Sequence, residues 1–419
     1  MEQTQGSFAE NNKAPQEFYL PRLNIVFFCE SKELYDVAGQ SATDRRLKRS
    51  KISVYSGGIS GAVEMYQDKP TPDLLIIESQ LATLELLADL ENLAEICDSH
   101  TKVMIAGQYN DVDMYRELIR QGISEYLVMP TTPIRLIESL SSIYGSADET
   151  PMARSIAFIG AVGGAGTSVI AQNFSVITSS EHHLDTCYVD LDTSYGSASM
   201  NWNMEAKKTI KDLISMGREI DEEAVKGAMT HVSENLQLLS SPITPEYTVS
   251  TSPDNDEALE EMFCSVRRLS DLVVMDIPYG ELSAIKQSAL MSATHIYIVS
   301  LPTVRGLRNV SILYQALCRM RPNDAPPKII FSQIDNPDIV ALNKRFIVDS
   351  LGRDADHYIR YAPQAVERSV AEGLPFADVP DGEEVALDIE ACVQGFFGRT
   401  MVREKKTGLQ KIISDLLKQ

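Results

Sequence analysis

Residues 156–173 read IAFIGAVGGAGTSVIAQN, an apolar run that passes through a glycine-rich turn into a helical pattern. The glycines at Gly160, Gly163, Gly164 and Gly166 permit positive φ angles and let a ligand approach the backbone closely. Because the turn opens a helix, its N–H groups and the helix dipole favour a bound anion. The stretch predicts a strand, a phosphate-binding turn and a helix, although a tight turn without any ligand would have the same pattern.

Two kinds of nucleotide-binding turn fit these glycines. The Walker A pattern GxxxxGK[ST] places Gly160 and Gly166 at its glycines and Ser168 at the hydroxyl that binds Mg²⁺. Thr167 stands where that pattern has its lysine. The pattern GxxxGxG, found in short-chain dehydrogenases, fits as well through Gly164, and an aspartate after the next strand would then hold a ribose.

The rest of the chain separates these two interpretations. A short-chain dehydrogenase needs a tyrosine with a lysine four positions later, and none of the 16 tyrosines has one. A P-loop ATPase needs an acid at the end of a later apolar strand to hold Mg²⁺ through water, and LVVMDIPYG supplies Asp276. It also needs an acid after the second strand, where VDLDTSYGS supplies Asp190 and Asp192. We therefore favour the P-loop interpretation and keep an NAD-binding oxidoreductase as the weaker alternative.

Strand and helix patterns alternate along both halves of the chain, which predicts two α/β domains, each a doubly wound parallel sheet. The predicted division is a disordered N-terminus at 1–21, domains at 22–144 and 153–400 with a linker at 145–152, and a C-terminal amphipathic helix at 401–419. The segment 241–257 is rich in Pro, Ser, Thr and acids and predicts a surface loop. The predicted strands are Asn24–Cys29, Lys51–Tyr55, Asp73–Ile77, Lys102–Ala106, Glu125–Val128, Ser155–Ile159, Cys187–Leu191, Leu236–Ser240, Leu272–Met275, Ile296–Ser300 and Lys328–Ser332.

The segments GAVGGAGTS, VDLDTSYGS, LVVMDIPYG and IYIVSLPTVRGLRNV, in this order, resemble the deviant-Walker ATPases of the MinD and ParA family over about residues 153–380. The resemblance implies a P-loop NTPase fold of the MinD/ParA type, ATP and Mg²⁺ as ligands, and a homodimer. It also implies that Ser168 and Asp276 hold Mg²⁺, the latter through water, and that Asp192 orients the attacking water. The nucleotide-binding residues that it implies are Gly163, Gly164, Ala165, Gly166, Thr167, Ser168 and Val169.

Both lysines of the family pattern KGGxGK[ST][ST] are replaced in this chain. Val162 occupies the position of the signature lysine, which reaches across the dimer in that family. Thr167 occupies the position of the lysine that contacts the β- and γ-phosphates. A charge-assisted hydrogen bond contributes roughly 1.5–3 kcal/mol, so the loss of one weakens binding about ten- to a hundredfold. We expect Mg-ATP binding with weak or absent hydrolysis, and the alternative is an active ATPase that uses Asp192 to drive its own positioning.

The first domain resembles a different protein family. The segments NIVFFCES, PDLLIIES, KVMIAGQ and GISEYLVMPTTP resemble a response-regulator receiver, which has a flavodoxin-type fold. Glu78 stands at the phosphoacceptor aspartate, Cys29 and Glu30 at the acidic pair, and Met129 at the lysine before Pro130. The resemblance implies a pseudo-receiver that serves dimerisation or docking.

A receiver-like domain joined to a MinD-like domain without these lysines resembles the TadZ/CpaE family over about residues 22–400. Members of that family are cytoplasmic factors for assembly of type IVb (Flp/Tad) pili, and GGxG[ST][ST] in place of GGxGK[ST] is familiar among them. The resemblance implies an ATP-binding protein that localises and assembles this secretion machinery at the cell pole, with partners among the pilus components of the inner membrane.

Charge and hydropathy limit which partners and which location the chain can have. A net charge of −21 argues against nucleic acid, because phosphate contacts need surplus Lys and Arg. The polar N-terminus and the absence of a run of ~20 apolar residues predict a cytoplasmic protein. The basic C-terminal segment fits peripheral membrane contact, or packing against the protein itself or a partner subunit. Its apolar face consists of Leu409, Ile412, Ile413, Leu416 and Leu417.

Overall fold

The computed structural model describes residues 20–81, 83–145, 152–241 and 252–398. The predicted C-terminal helix with its apolar face, nearly all of the predicted disordered N-terminus and most of the predicted linker lie outside the described residues. The domain limits at 22–144 and 153–400 stay predictions.

The first half of the chain forms a five-stranded parallel sheet covered by five helices. The strands are β1 (Asn24–Cys29), β2 (Lys51–Ser56), β3 (Leu74–Glu78), β4 (Lys102–Gly107) and β5 (Glu125–Val128). The helices are α1 (Lys32–Ala42), α2 (Gly58–Tyr66), α3 (Thr83–Ala94), α4 (Val112–Arg120) and α5 (Pro133–Tyr144). The strand order β2-β1-β3-β4-β5 is that of the flavodoxin-type fold, as predicted.

The second half forms an eight-stranded sheet. Its strands are β6 (Arg154–Gly160), β7 (Thr186–Asp190), β8 (Met229–Ser233), β9 (Leu236–Leu239), β10 (Leu272–Ile277), β11 (His295–Ser300), β12 (Lys328–Ser332) and β13 (His357–Ile359). The helices are α6 (Thr167–Ser180), α7 (Ala198–Asn201), α8 (Ile210–Ser215), α9 (Glu222–Ala228), α10 (Pro253–Arg268), α11 (Ala284–Ser292), α12 (Val304–Met320), α13 (Lys344–Leu351), α14 (Pro363–Glu372) and α15 (Glu383–Phe397). In the described part of the chain, no helix has the length and apolar character that a membrane span requires.

The order of this sheet is β13-β12-β11-β6-β10-β7-β9-β8, and every neighbouring pair is parallel except β8 with β9. All six residues of β10 are buried, because helices cover both faces of the sheet, and this explains its continuous apolar run. Strand β10 lies between β6 and β7, so the glycine turn after β6 and the acids at the ends of β7 and β10 share one edge.

The structure departs from the sequence predictions at the sheet edges and in one loop. The short edge strands β8 and β13 were not predicted, because part-exposed runs of three to five residues carry little pattern. The predicted surface loop at 241–257 is wrong in its last five residues, which begin α10. Ser252 caps this helix by accepting the N–H of Asn255 at 3.2 Å, Pro253 stands in its first turn, and acidic residues follow.

Buried ion pairs join the two halves of the chain. The Arg45 guanidinium lies 2.9 Å from a carboxylate oxygen of Asp324, with side-chain exposures of 4% and 9%. Asn323 donates a hydrogen bond to Asp44 at 3.0 Å, and Arg46 lies 3.5 Å from Asp324. These contacts connect the short 3-10 turn before β2 to the segment that follows α12.

Candidate functional site

The glycine turn runs from the end of β6 to the first residue of α6. Gly164 has a φ of +75° and Gly166 a φ of +73°, a left-handed conformation that favours glycine because side chains clash there. A methyl group at Gly160 would lie 3.0 Å from the Thr167 hydroxyl and 3.2 Å from the backbone nitrogen of Tyr279. The glycines are therefore required by the shape of the turn and by the close approach of the loop after β10.

Side chains from two neighbouring segments hold the turn in place. Three of its carbonyl oxygens accept hydrogen bonds from the body of the protein, which orients them toward that body. These bonds engage the carbonyl oxygens of the turn and none of its N–H groups, which are the donors that an anion at a helix N-terminus would use. The bonds run from Asn309 Nδ2 to Ala161 O at 2.9 Å, from Gln333 Nε2 to Gly164 O at 2.8 Å and from Ser332 Oγ to Ala165 O at 2.7 Å.

Acidic side chains lie beside the turn at the same edge. Asp276 on β10 is the register partner of Asp190 on β7, and both are 2% exposed. Tyr188 donates its hydroxyl proton to Oδ2 of Asp276 at 2.8 Å. Asp190 accepts the N–H groups of Asp192 at 3.0 Å and Ala198 at 3.3 Å. Two neighbouring parallel strands thus place buried carboxylates beside the glycine turn.

Burial and neighbouring carboxylates raise the pKa values of both acids. Burial, followed by the charge of Asp276, raises the pKa of Asp190 to about 7. Burial also raises the pKa of Asp276 to about 6, against the opposing effect of the hydroxyls of Ser168 and Tyr188. Within the described residues, no group hydrogen-bonds to the buried Oδ1 of Asp276. An orphaned carboxylate oxygen beside a second acid is a favourable place for a cation.

The donors at this edge fit Mg²⁺ bound together with a nucleotide. Ser168, in the first turn of α6, supplies a hydroxyl close to Asp276, whose unpaired Oδ1 can accept from a metal-bound water. In the described ranges, no group of three or more His, Cys, Asp or Glu residues would hold a metal unaided. The remaining ligands of a cation here would have to be waters or phosphate oxygens, which is the usual coordination of Mg²⁺ in nucleotide sites.

The two positions that carry lysines in the MinD/ParA pattern are both turned inward. Val162 is 6% exposed and packs in the apolar layer against one face of the second sheet. Thr167 is 7% exposed, with its hydroxyl close to Gly160. Neither position presents a charge to the turn, so a phosphate there would be bound by backbone N–H groups and by cations from other elements.

The structure places the other predicted residues in different settings. Gly163 and Gly164 are exposed at the rim of the turn, whereas Ala165 is buried beneath it. Val169, in the first turn of α6, lines a small cavity together with Trp202, which directly follows α7. Asp192 is half-buried, and its Oδ1 accepts the N–H groups of Ser194 at 3.2 Å and Tyr195 at 2.9 Å.

The receiver-like half places Glu78 in a structural role. Glu78 is 3% exposed, and its Oε2 accepts the N–H groups of Glu30 and Ser31, each at 2.7 Å. Burial, followed by the charge of Glu78, raises the pKa of Glu30 and raises that of Cys29 to about 12. A carboxylate already held by two backbone donors and surrounded by uncharged or acidic groups is unsuited to accept a phosphoryl group.

The tertiary structure adds three residues that sequence reasoning did not identify. Tyr188 donates to Asp276, the Tyr279 ring lies beside Gly163, and Lys286 on α11 lies near Asp192. The sequence contains one signal for Tyr188, which lies two residues before Asp190 in a strand and so faces the same side of the sheet as Asp190. No local pattern marks Lys286, because its position depends on the path of the loop after β10.

No family model matches the chain, and no curated protein matches it. A ParA family ATPase of Chlorobium tepidum TLS is 22% identical over 58% of this chain and 98% of that chain, with a TM-score of 0.50. That likeness concerns the fold, and the second sheet is of the MinD/ParA P-loop type, as predicted.

Higher identity is found for the N-terminal part of the chain. A pilus assembly protein CpaE of Caulobacter crescentus CB15 is 40% identical over 30% of this chain and 97% of that chain, with a TM-score of 0.30. A CpaE2 pilus assembly protein of Sinorhizobium meliloti 1021 is 36% identical over 29% of this chain and 99% of that chain, with a TM-score of 0.29. Because this identity extends over nearly the whole of both solved structures, the chain belongs to the family of CpaE pilus assembly proteins.

Proposed function

We propose that this chain is an ATP-binding pilus assembly protein with weak or absent ATP hydrolysis. The observation that carries the proposal is the held glycine turn beside the orphaned Oδ1 of Asp276 and the Ser168 hydroxyl. This edge has the backbone donors and oxygen ligands for Mg-ATP, but Val162 and Thr167 are buried where lysines would supply charge.

The binding half of the proposal follows from the donors present. Backbone N–H groups at the start of α6 bind phosphate oxygens, and the helix dipole adds to the attraction. Ser168 ligates Mg²⁺, and Asp276 orients one of its waters. Bound Mg²⁺ would neutralise phosphate charge, and it would also favour the ionised forms of Asp276 and Asp190, whose pKa values are raised first by burial and then by neighbouring carboxylates.

Slow hydrolysis follows from the missing charges. Phosphoryl transfer is accelerated by cations placed at the γ-phosphate, and the two lysine positions supply none. Asp192 already accepts two backbone N–H groups through Oδ1, which leaves its Oδ2 to orient a water. One oriented water without that charge leaves the main barrier in place.

Calorimetric titration of the full-length protein with ATP and Mg²⁺ tests the proposal. We expect micromolar binding that is lost in Gly166→Val, because valine cannot adopt a φ of +73° without strain. Absence of binding by the folded wild-type protein at millimolar ATP would sink the proposal. Phosphate release measured on the same samples should stay far below the ~10 s⁻¹ that is typical of enzymes.

An active ATPase is the second candidate, since Asp192 is half-exposed at this edge and lies near Lys286. It predicts steady, Mg²⁺-dependent phosphate release that Asp192→Ala abolishes without weakening ATP binding. Release that is slow and unchanged in Asp192→Ala favours the weakly active protein.

The cellular role is proposed from the names of the relatives. The two CpaE proteins are pilus assembly proteins, and we place this chain in the cytoplasm, at the inner membrane or cell pole, where it organises pilus secretion components as a nucleotide-linked homodimer. A deletion strain should lack surface pili and regain them with the wild-type chain but not with Gly166→Val. Normal piliation in the deletion strain would contradict this role.

A further inference from the structure

Lys286 lies at the third position of α11, after the loop that follows β10. Its Nζ donates a hydrogen bond to the carbonyl oxygen of Pro278 at 3.0 Å, and the residue is half-buried. A methyl group built on Gly280 would lie 3.8 Å from the same Nζ. The ammonium group is therefore held against residues 278–280, the segment directly after Asp276 and Ile277.

That segment also contacts the glycine turn. The backbone nitrogen of Tyr279 would be 3.2 Å from a methyl group on Gly160, and the Tyr279 ring would be 3.9 Å from one on Gly163. The loop that carries the Lys286 contact thus forms one wall of the predicted phosphate site.

The charges around Lys286 are also compatible with a phosphate contact. Burial lowers its pKa, and the carboxylates of Asp192, Asp276 and Glu281 oppose that effect. An ammonium has three donors, and within the described residues Lys286 uses one of them, on Pro278. Partial desolvation strengthens the attraction between the ammonium group and an anion, because charges interact more strongly away from water.

We propose that Lys286 is the phosphate-binding cation of this site and replaces, from α11, the charge missing at Thr167 and Val162. The inference rests on the proposed ATP binding and adds the residue that makes it possible without a Walker lysine. The long, flexible side chain of a lysine lets Nζ exchange the Pro278 carbonyl for a β- or γ-phosphate oxygen while it stays near Asp276. The competing assignment is a purely structural lysine that only fixes the loop.

Nucleotide titrations of matched variants separate these assignments. Lys286→Met removes the charge and keeps much of the side-chain length, so Kd for Mg-ATP and Mg-ADP should rise about ten- to a hundredfold, with little change for AMP. Lys286→Arg should retain most of the affinity. The control is Lys226→Met, an exposed lysine on α9 at the far edge of the sheet, which should bind as the wild type does.

A rescue variant tests whether the lost property is a charge at this place. Thr167→Lys in the Lys286→Met background restores the Walker lysine and should recover the affinity for ATP. A folded double variant that binds ATP as weakly as Lys286→Met contradicts the proposal that Lys286 supplies the charge missing at Thr167. Equal affinity of Lys286→Met and wild type overturns the inference but leaves the proposed ATP binding intact, whereas no binding by wild type overturns both.

A measurement on the wild-type side chain covers the case in which Lys286→Met does not fold. Lysines are methylated reductively with a ¹³C label, and the Lys286 signal is identified by its absence from Lys286→Arg. This signal should move when Mg-ATP is added and stay in place with Mg²⁺ or AMP alone. A signal that stays in place while calorimetry shows ATP binding assigns the lysine a structural role and overturns the inference.

Discussion

Replacing Asp276 with asparagine should stabilise the nucleotide-free protein at neutral and alkaline pH while impairing its response to Mg-ATP. Asp276 is 2% exposed, and Oδ1 has no hydrogen-bond partner among the described residues. Burial raises its pKa from 3.8 to about 6, so the native state favours the neutral form. Each unit of pKa difference between the folded and unfolded states corresponds to 1.36 kcal/mol. The ionised side chain therefore costs about 3 kcal/mol of folding free energy.

The sign of the pH dependence follows from proton uptake. The native state binds the Asp276 proton more tightly than the unfolded chain does, so stability falls as pH rises from about 3.8 to about 6. Asparagine keeps the shape and an oxygen acceptor for the Tyr188 hydroxyl but cannot ionise. Asp276→Asn should therefore be about 3 kcal/mol more stable than wild type at pH 8 and within a few tenths of it near pH 4.

Urea unfolding between pH 4 and pH 8, with EDTA and without nucleotide, measures this difference. Asp338→Asn, at an exposed aspartate, serves as the matched control and should change stability by less than about 0.5 kcal/mol at every pH. Added Mg-ATP should stabilise wild type more than Asp276→Asn, because only the carboxylate binds the Mg²⁺ water well. A variant that is no more stable than wild type at pH 8, or whose advantage is the same at pH 4, refutes the reasoning.

Three further changes test other parts of the structure. Asp324→Ala leaves the buried Arg45 guanidinium without its carboxylate and should cost about 3–5 kcal/mol in urea unfolding, with earlier proteolytic separation of the two halves; unchanged stability would show that the pair is dispensable. Gly166→Val should cost about 1–2 kcal/mol through its φ of +73° and abolish ATP binding by calorimetry; retained ATP binding would argue against the turn as the phosphate site. Glu78→Ala leaves two backbone N–H groups unpaired and should cost about 1–3 kcal/mol by thermal or urea unfolding, and acetyl phosphate should label neither form; labelling of wild type would contradict the structural role of this side chain.

The local pattern of the chain was sufficient to predict the central strands. Strands β1, β5 and β12 have the predicted bounds, and the other predicted strands differ by one or two residues at their ends. Buried parallel strands require continuous apolar runs, and a phosphate turn requires glycines before a helix. Both are therefore recognisable from a few consecutive residues. The sequence placed Asp190, Asp192 and Asp276 at or after strand ends, and the strand order brings Asp190 and Asp276 to one edge, because carboxyl ends of neighbouring parallel strands meet there.

Other features depended on contacts between residues far apart in the chain. The bond from Tyr188 to Asp276 spans 88 residues, and that from Arg45 to Asp324 spans 279. The contact of the Lys286 ammonium with Pro278 and the approach of Tyr279 to the glycine turn both depend on the path of the loop after β10. The sequence by itself determined the central strands and the glycine-rich turn that precedes a helix, since those depend on local periodicity and backbone freedom. Only the tertiary structure decided which side chains complete the site, because their contacts arise from the packing of the whole sheet.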